Sequence, residues 1–413
     1  MRSDFLEKFT KISFLALATF PFLKANYNSK VIVLWAILVL VSFFKIKSKH
    51  KFNIKNIVYT LPFFMFFLYE ILSGNFNLSR IILGLPFLIF PVIFLIRPKF
   101  IEEYIFNLSL LIFQISVFFQ SFIYLVVFLK ENSIFKLLDI SSHNIPFFRE
   151  YVTNNYLIEL HPTYFSSFLL FSLTISLFKF IKIKFFHFFN IISSLFFIIL
   201  FSSRIIILLL LLTFVFYIIL IATKNRKKQS LIISGIALIA FLFIANTKVV
   251  KDRFYEIKEQ MNKPIVGSYY NSSNTRLAIY KCDYLLVKEL PFFGFGNNLQ
   301  KKLNQCYADN NDSNFYQISV FNTHNYYFNL ILYGGWVFFL LFLIYLFFIF
   351  ERIRKNPLHL FVFIQLLLIN LTENYLSRHY GIVLFCYFTM LFITINKDEK
   401  NTRFKFLQIT TKF

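Results

Sequence analysis

The sequence lacks the polar residues that a water-soluble chain of this length requires. Charged residues make up only 15% of its 413 residues, while hydrophobic residues make up 58% and occur in long blocks without a polar face. A soluble chain of this size would form two or three domains built from amphipathic helices and alternating strands. The composition therefore excludes an ordinary soluble enzyme and indicates an integral membrane protein.

Several motifs of soluble enzymes are also missing. The seven histidines show no metal-ligand spacing, so we predict no metal and no cofactor. Gly294-Phe295-Gly296 is a turn too short to be a phosphate-binding glycine loop. Of only three cysteines, Cys282 and Cys306 fall in one long polar segment, where an oxidising compartment could join them. The sequence leaves that pairing open.

Acidic residues are scarce, and the net charge of +23 reflects 43 Lys and Arg residues against 20 Asp and Glu residues. Such an excess is common in nucleic-acid-binding proteins. Here, however, the basic residues lie mainly in the gaps between apolar blocks, where the positive-inside rule of membrane proteins accounts for them. We therefore predict no nucleic-acid partner.

The apolar blocks predict an all-α fold, a polytopic integral membrane protein with about 12 transmembrane helices, because a spanning helix needs about 20 apolar residues. The apolar block 185–222 would reach about 57 Å as one helix, about twice the hydrocarbon thickness, so it must turn back at Ser202-Ser203-Arg204. The predicted spans lie near residues 12–23, 30–45, 56–73, 80–97, 104–129, 158–178, 185–202, 204–222, 231–247, 322–350, 357–373 and 379–396.

The charges between these spans set the predicted orientation. Short segments on one side hold about three times as many Lys and Arg residues as those on the other, and the richer side faces the cytoplasm. Both termini are then cytoplasmic, in a bacterial inner membrane. The predicted organisation is helices 1–9 in residues 1–247, a periplasmic loop with short helices in 248–320, and helices 10–12 with a cytoplasmic tail in 321–413.

Two arginines face the predicted periplasmic side. Arg204 is the one formal charge near the middle of its apolar block, and a charge at a membrane boundary is costly enough to indicate function. The alternative is an arginine that snorkels to the surface. Arg276 falls in the first turn of a helix that Asn274 or Thr275 caps, where backbone N–H groups and the guanidinium can meet an anion together; the alternative is a solvated arginine. The two arginines could clamp a pyrophosphate.

His324 lies where the polar loop meets the tenth span and is the candidate general base. A helix N-terminus disfavours the imidazolium ion, and a neutral imidazole is what a base needs. The alternative is an interfacial polar residue. Asn325 beside it, His161 at the start of the sixth span and Glu373 at the end of the eleventh are accessory candidates, with a helix-end role as the alternative for His161 and Glu373.

The order of these features resembles the O-antigen ligase and O-antigen polymerase family of bacterial membrane glycosyltransferases. The resemblance covers most of the chain, but its specific motifs cover only residues from about 161 to 340. The shared features, in chain order, are Ser203-Arg204 at the end of a mid-chain span, Arg276 on a loop helix, a Pro-x-x-Gly-x-Gly turn from Pro291 to Gly296, and His324-Asn325 at the start of the next span.

The resemblance implies a metal-independent glycosyltransferase of lipopolysaccharide biosynthesis. It would take a glycan from an undecaprenyl-pyrophosphate carrier and join it, at the periplasmic face, to a sugar hydroxyl of the lipid A core or of a growing glycan. Arg204 and Arg276 would bind the pyrophosphate and stabilise its charge as it leaves. His324 would deprotonate the acceptor hydroxyl. The implied partners are the carrier-linked donor, the glycan acceptor and the lipid bilayer.

These motifs are also compatible with other functions. A polysaccharide polymerase or a protein O-glycosylating ligase would carry the same motifs. A non-enzymatic polysaccharide flippase or transporter should have charges deep within its spans and only short loops, whereas the charges here stand at span ends. Carrier-phosphate glycosyltransferases with an acidic motif in the first outer loop are disfavoured, because residues 24–30 contain no carboxylate.

Overall fold

The computed structural model describes residues 2–45, 54–72, 76–96, 102–139, 146–154, 160–179, 184–222, 246, 251, 255, 272–311 and 320–398. Every regular element in these ranges is a helix, and short 3₁₀ turns join some of them. The α-helices are α1 (Arg2–Leu17), α2 (Ala25–Lys45), α3 (Leu61–Leu72), α4 (Leu78–Gly84), α5 (Pro86–Ile96), α6 (Glu103–Glu131), α7 (Phe147–Asn154), α8 (Pro162–Lys179), α9 (Lys184–Phe201), α10 (Arg204–Ala222), α11 (Ser272–Lys288), α12 (Leu299–Asn310), α13 (Tyr326–Ile353), α14 (Pro357–Ile369) and α15 (His379–Asp398).

The apolar spans of the sequence are helical in the structure. Within the described residues, α2, α6, α10 and α13 are long and apolar enough to cross a membrane, and shorter apolar helices accompany them. Each predicted span overlaps a described helix except 231–247, of which the structure describes only residue 246. The helix at the first span begins earlier than predicted, at Arg2. The all-helical, multi-pass architecture agrees with the predicted fold class, while the count of twelve stays a prediction.

The long apolar block turns back at the predicted place. Helix α9 ends at Phe201 and α10 begins at Arg204, with Ser202 in the left-handed region at a φ of 47°. The guanidinium of Arg149, on α7, donates to the Phe201 carbonyl at 3.0 Å. Carbonyls at a helix end lack helical partners, so this bond stabilises the end of α9. Arg204 is thereby held as the first residue of α10.

The chain divides into two compact units, each built from separate segments. They are not the three consecutive segments that the sequence predicted, with boundaries at residues 247 and 320, and that division stays a prediction. The first unit comprises Met1–Phe113, Gly334–Phe363 and Leu376–Phe413, and the second comprises Gln114–Tyr333 and Ile364–Tyr375.

The first unit is packed with aromatic side chains. Helix α1 lies against α2, and α5 lies against α15. Trp35 is fully buried between these helices, and its ring lies 5.2 Å from that of Phe94 and 5.6 Å from that of Phe90. Aromatic pairs at such separations add to the stability that burial alone supplies.

In the second unit, buried polar side chains bond the helices to one another. Gln114 of α6 and Asn190 of α9 both donate to the Ser176 hydroxyl of α8, at 2.7 and 2.8 Å. Gln365 of α14 donates to the Thr213 hydroxyl of α10 at 2.8 Å. A polar group in hydrocarbon is costly without a partner, so these bonds favour one arrangement of the helices that carry the site.

The loop helices α11 and α12 are joined to each other and to α13. A disulfide links Cys282 to Cys306, so the pairing that the sequence left open is present. Such a cross-link stabilises a folded loop by restricting the unfolded chain. The Phe295 N–H donates to the Leu332 carbonyl of α13 at 2.8 Å. Near that point Gly335 adopts a φ of 72°, a conformation that favours glycine.

Candidate active site

Arg276 and Glu373 form an ion pair at the centre of the site. Arg276 Nη2 donates to Glu373 Oε1 at 2.8 Å, and the Glu373 side chain is only 9% exposed. Helix α11 already includes Ser272, so Arg276 lies in its second turn, whereas the sequence predicted the first. Ser272, Ser273 and Asn274 all favour helix starts, and the first residue of the helix could not be identified from residue type alone.

His324 approaches the other oxygen of the same carboxylate. Its Nδ1 lies 3.6 Å from Glu373 Oε2, and its side chain is 27% exposed. Burial raises the pKa of Glu373. His324 and the Arg276 guanidinium lower it by more than burial raises it, so the pKa of Glu373 lies below its ordinary value. The carboxylate is therefore ionised at neutral pH, with a guanidinium on one oxygen and an imidazole at the other.

The residues around His324 fix its backbone in an unusual conformation. His324 has a φ of 44°, and its N–H donates to Asn322 Oδ1 at 2.9 Å. Asn325 Oδ1 accepts the N–H groups of Tyr327 at 2.9 Å and Phe328 at 3.2 Å, as an N-cap of α13. The side chain of Asn325, an accessory candidate, is thus engaged in capping, and that of His324 is directed to Glu373.

Arg204 lies close to the same end of α11. Its Nη1 donates to the Ser273 hydroxyl at 2.8 Å. Ser273 precedes Arg276 by three residues, which is about 4.5 Å along a helix axis at 1.5 Å per residue. The structure therefore brings Arg204, Arg276 and His324 into one region, although they lie far apart in the sequence.

His161 is also in this region. It directly precedes α8, and its Nδ1 accepts the Thr163 N–H at 3.3 Å, a contact typical of a helix start. Its ring lies 5.9 Å from the ring of Tyr164, whose hydroxyl donates to the carbonyl of Asn374, the residue after Glu373. His161 therefore borders the site while serving the start of α8.

The arrangement suits proton transfer beside an anion. A histidine oriented by a buried carboxylate is the pattern in which histidine acts as a base, because the carboxylate stabilises the imidazolium that forms. Arg276 is 31% exposed and retains donors for a ligand. In the ranges that the structure describes, no group of three His, Cys, Asp or Glu side chains is placed to hold a metal. The absence of a metal stays a prediction.

Asp283 is a buried acid of α11 that no sequence pattern singled out. It is fully buried beside the disulfide residue Cys282, and among the described residues neither of its carboxyl oxygens has a hydrogen-bond partner. Burial raises the pKa of Asp283 from 3.8 to about 8. An isolated carboxylate in such surroundings is unfavourable, so the carboxyl group is largely protonated at neutral pH.

Replacing Asp283 by Asn is therefore expected to stabilise the protein at pH 8 and to change little at pH 4. Between its ordinary pKa of 3.8 and the folded value of about 8, the folded state holds a proton that the unfolded state releases. The free energy of unfolding of the wild type therefore falls as the pH rises through this window. An asparagine side chain does not titrate, so the variant lacks this fall. Thermal unfolding at pH 8 should show a midpoint about 2–4 °C higher for each kcal/mol gained.

The matched control for this prediction is Asp309→Asn on α12, because Asp309 is exposed. This variant should unfold like the wild type at both pH values. An equal effect of Asp283→Asn at pH 4 and pH 8 would contradict the protonated, buried state of Asp283.

Part of the chain is similar to a known protein family. Residues 189–343 match the model of a family described as O-antigen ligase. The matched range contains Arg204, Arg276 and His324, whereas Glu373 lies beyond it. No curated protein matches the chain. The match confirms the resemblance to the O-antigen ligase family that the sequence motifs indicated.

Proposed function

We propose, from the O-antigen ligase match over residues 189–343, that the chain is a membrane glycosyltransferase of the O-antigen ligase type. Its donor is a glycan on an undecaprenyl-pyrophosphate carrier, and its acceptor is a sugar hydroxyl of the lipid A core. The observation that carries this proposal is the shared contact of Arg276 and His324 with the Glu373 carboxylate. The proposed anion-binding group, Arg276, and the proposed base, His324, share this carboxylate.

The proposed reaction is one displacement at the anomeric carbon of the donor. The acceptor oxygen forms a bond to that carbon, the bond from the carbon to the phosphate oxygen breaks, and the pyrophosphate stays on its carrier. Arg204 and Arg276 bind the pyrophosphate and stabilise the charge that develops on the leaving oxygen. His324 takes the proton of the attacking hydroxyl, and Glu373 stabilises the resulting imidazolium.

The proposed location of this chemistry is the periplasmic face of a bacterial inner membrane, with both termini in the cytoplasm. The distribution of basic residues supports this orientation. The disulfide between Cys282 and Cys306 supports it independently, because disulfides persist in oxidising compartments such as the periplasm. Both cysteines lie on the loop helices that carry Arg276 and connect to His324.

The test is a strain that lacks the protein, complemented with the wild-type chain or with Arg276→Lys. Lysine keeps the charge but lacks the planar fork of donors, so we expect about 10-fold less transfer, the cost of one lost interaction of about 1.4 kcal/mol. Gel analysis of surface and carrier-linked glycans is the measurement. In the uncomplemented strain, long chains stranded on the carrier support the ligase, whereas surface lipid with a single repeat indicates the polymerase. If the glycans of the uncomplemented strain match those of the strain with the wild-type chain, both functions are overturned.

A further inference from the structure

Thr323 and Asn374 join the two segments that carry the proposed base and its carboxylate. Thr323 directly precedes His324, and Asn374 directly follows Glu373. The Thr323 hydroxyl lies 3.0 Å from Asn374 Oδ1, and both residues are buried, at 0% and 4% exposure. This one contact therefore links the immediate neighbours of His324 and Glu373.

The Asn374 side of this contact is itself held by α8. The Tyr164 hydroxyl donates to the Asn374 carbonyl at 3.4 Å. The ring of Tyr164 stacks on the ring of Tyr375 with centroids 4.7 Å apart, and the Tyr375 hydroxyl bonds with Ser167. Asn374 thus offers a fixed acceptor to Thr323.

The segment that carries Thr323 has a strained backbone at the next residue. The neighbouring His324 has a φ of 44°, and a non-glycine residue in that region costs on the order of 1–3 kcal/mol unless its surroundings impose it. The Thr323 hydroxyl also reaches the Asn325 carbonyl at 3.0 Å. Contacts on both sides of His324 therefore act against relaxation of its backbone.

We propose that Thr323 and Asn374 are positioning residues, a latch that keeps the His324 imidazole against the Glu373 carboxylate. The proposal rests on the proposed function for its consequence in catalysis. The 3.6 Å between His324 Nδ1 and Glu373 Oε2 is already longer than a hydrogen bond, so a further small displacement would weaken the electrostatic contact between the two groups. Displacements of about 1 Å can cost about 100-fold in rate.

The first test is a pair of matched variants, Thr323→Val and Thr323→Ser. Valine has the shape of threonine without its hydroxyl, and serine keeps the hydroxyl. In a purified transfer assay with a polyprenyl-pyrophosphate-linked glycan, we expect Thr323→Val to lower kcat about 10–100-fold. KM for the donor should stay within about 2-fold, because Arg204 and Arg276 are untouched. Thr323→Ser should retain the kcat of the wild type. An equal fall in kcat in both variants, or a rise in KM at unchanged kcat, would overturn the latch.

A double-mutant cycle tests whether the two residues act together. Asn374→Leu removes the acceptor while nearly keeping the side-chain volume. If the latch is one unit, Thr323→Val combined with Asn374→Leu should lower kcat no further than the worse single variant. Fully additive losses would show two independent effects and contradict the proposal.

A third measurement separates the latch from the proposed function. Diethylpyrocarbonate acylates imidazole nitrogens, and mass spectrometry of the whole purified protein can follow His324, with His379 at the start of α15 as the internal reference. We expect the His324 to His379 modification ratio to change several-fold in Thr323→Val and to match the wild type in Thr323→Ser. If the ratio changes in this way but the wild type transfers no glycan, the proposed function is refuted and the latch is supported. An unchanged ratio would refute the latch. Where Thr323→Val does not fold, judged by loss of the Cys282–Cys306 disulfide, Thr323→Ala takes its place.

Discussion

Replacing His324 by Ala is expected to lower kcat for glycan transfer about 10²–10⁴-fold, the usual contribution of a positioned general base. The alanine variant retains Arg204 and Arg276, so donor binding should survive. Glu373 keeps its pair with Arg276 at 2.8 Å, and the carboxylate therefore does not become an isolated buried charge. The loss should accordingly appear in kcat and only weakly in KM.

Chemical rescue gives this prediction its control. The site of His324 is partly open, with 27% of the side chain exposed, so added imidazole can reach the space that alanine leaves. We expect imidazole to restore part of the transfer rate in His324→Ala and to leave the wild type unchanged. A variant with the kcat of the wild type, in folded protein that retains the disulfide, would remove His324 from the mechanism.

The parts of the fold that the sequence predicted best are those that the membrane dictates. A spanning helix must satisfy every backbone group internally and expose apolar side chains, so each span has a signal that is local in the chain. The turn at residues 202–204 followed from length alone. The pairing of Cys282 with Cys306 could not be predicted in this way, because it depends on how α11 and α12 approach each other.

The sequence singled out the candidate site residues by residue type and only partly by arrangement. Arg204 attracts attention because a charge at a membrane boundary is costly, whereas Arg276 and His324 do so because each stands near the predicted start of a helix. Glu373 entered only as an accessory, since a carboxylate at a span end is common, and yet it contacts both Arg276 and His324.

Residues that orient others leave no such signal in the sequence. Arg149 holds the turn before Arg204, and Thr323 contacts Asn374 across a gap of 51 residues. Serine, threonine and asparagine occur throughout the chain, and no spacing distinguishes the pair that meets in the fold. Only the tertiary structure, in which the loop before α13 lies beside the loop after α14, reveals such partners.

Replacing Glu373 by Gln should lower kcat on the scale seen when the carboxylate behind a catalytic histidine is neutralised, about 10²–10⁴-fold. Glutamine keeps the shape of the side chain but cannot stabilise an imidazolium by charge. The matched control is Glu351→Gln, because Glu351 pairs with Arg354 at 3.2 Å while both side chains are at least 40% exposed. Exposed pairs contribute about 0–1 kcal/mol, so that variant should transfer glycan like the wild type.

The division of the loss between kcat and KM shows which partner of Glu373 matters more. Without the carboxylate, Arg276 stays cationic and loses a competitor for its donors, so pyrophosphate binding should be retained or strengthened. His324 loses the group that stabilises its protonated form, and the proton transfer becomes less favourable. We therefore expect a fall in kcat with an unchanged or lower KM for the donor. A rise in KM at constant kcat would instead mean that Glu373 serves chiefly to orient Arg276, and His324 would then act without a carboxylate partner.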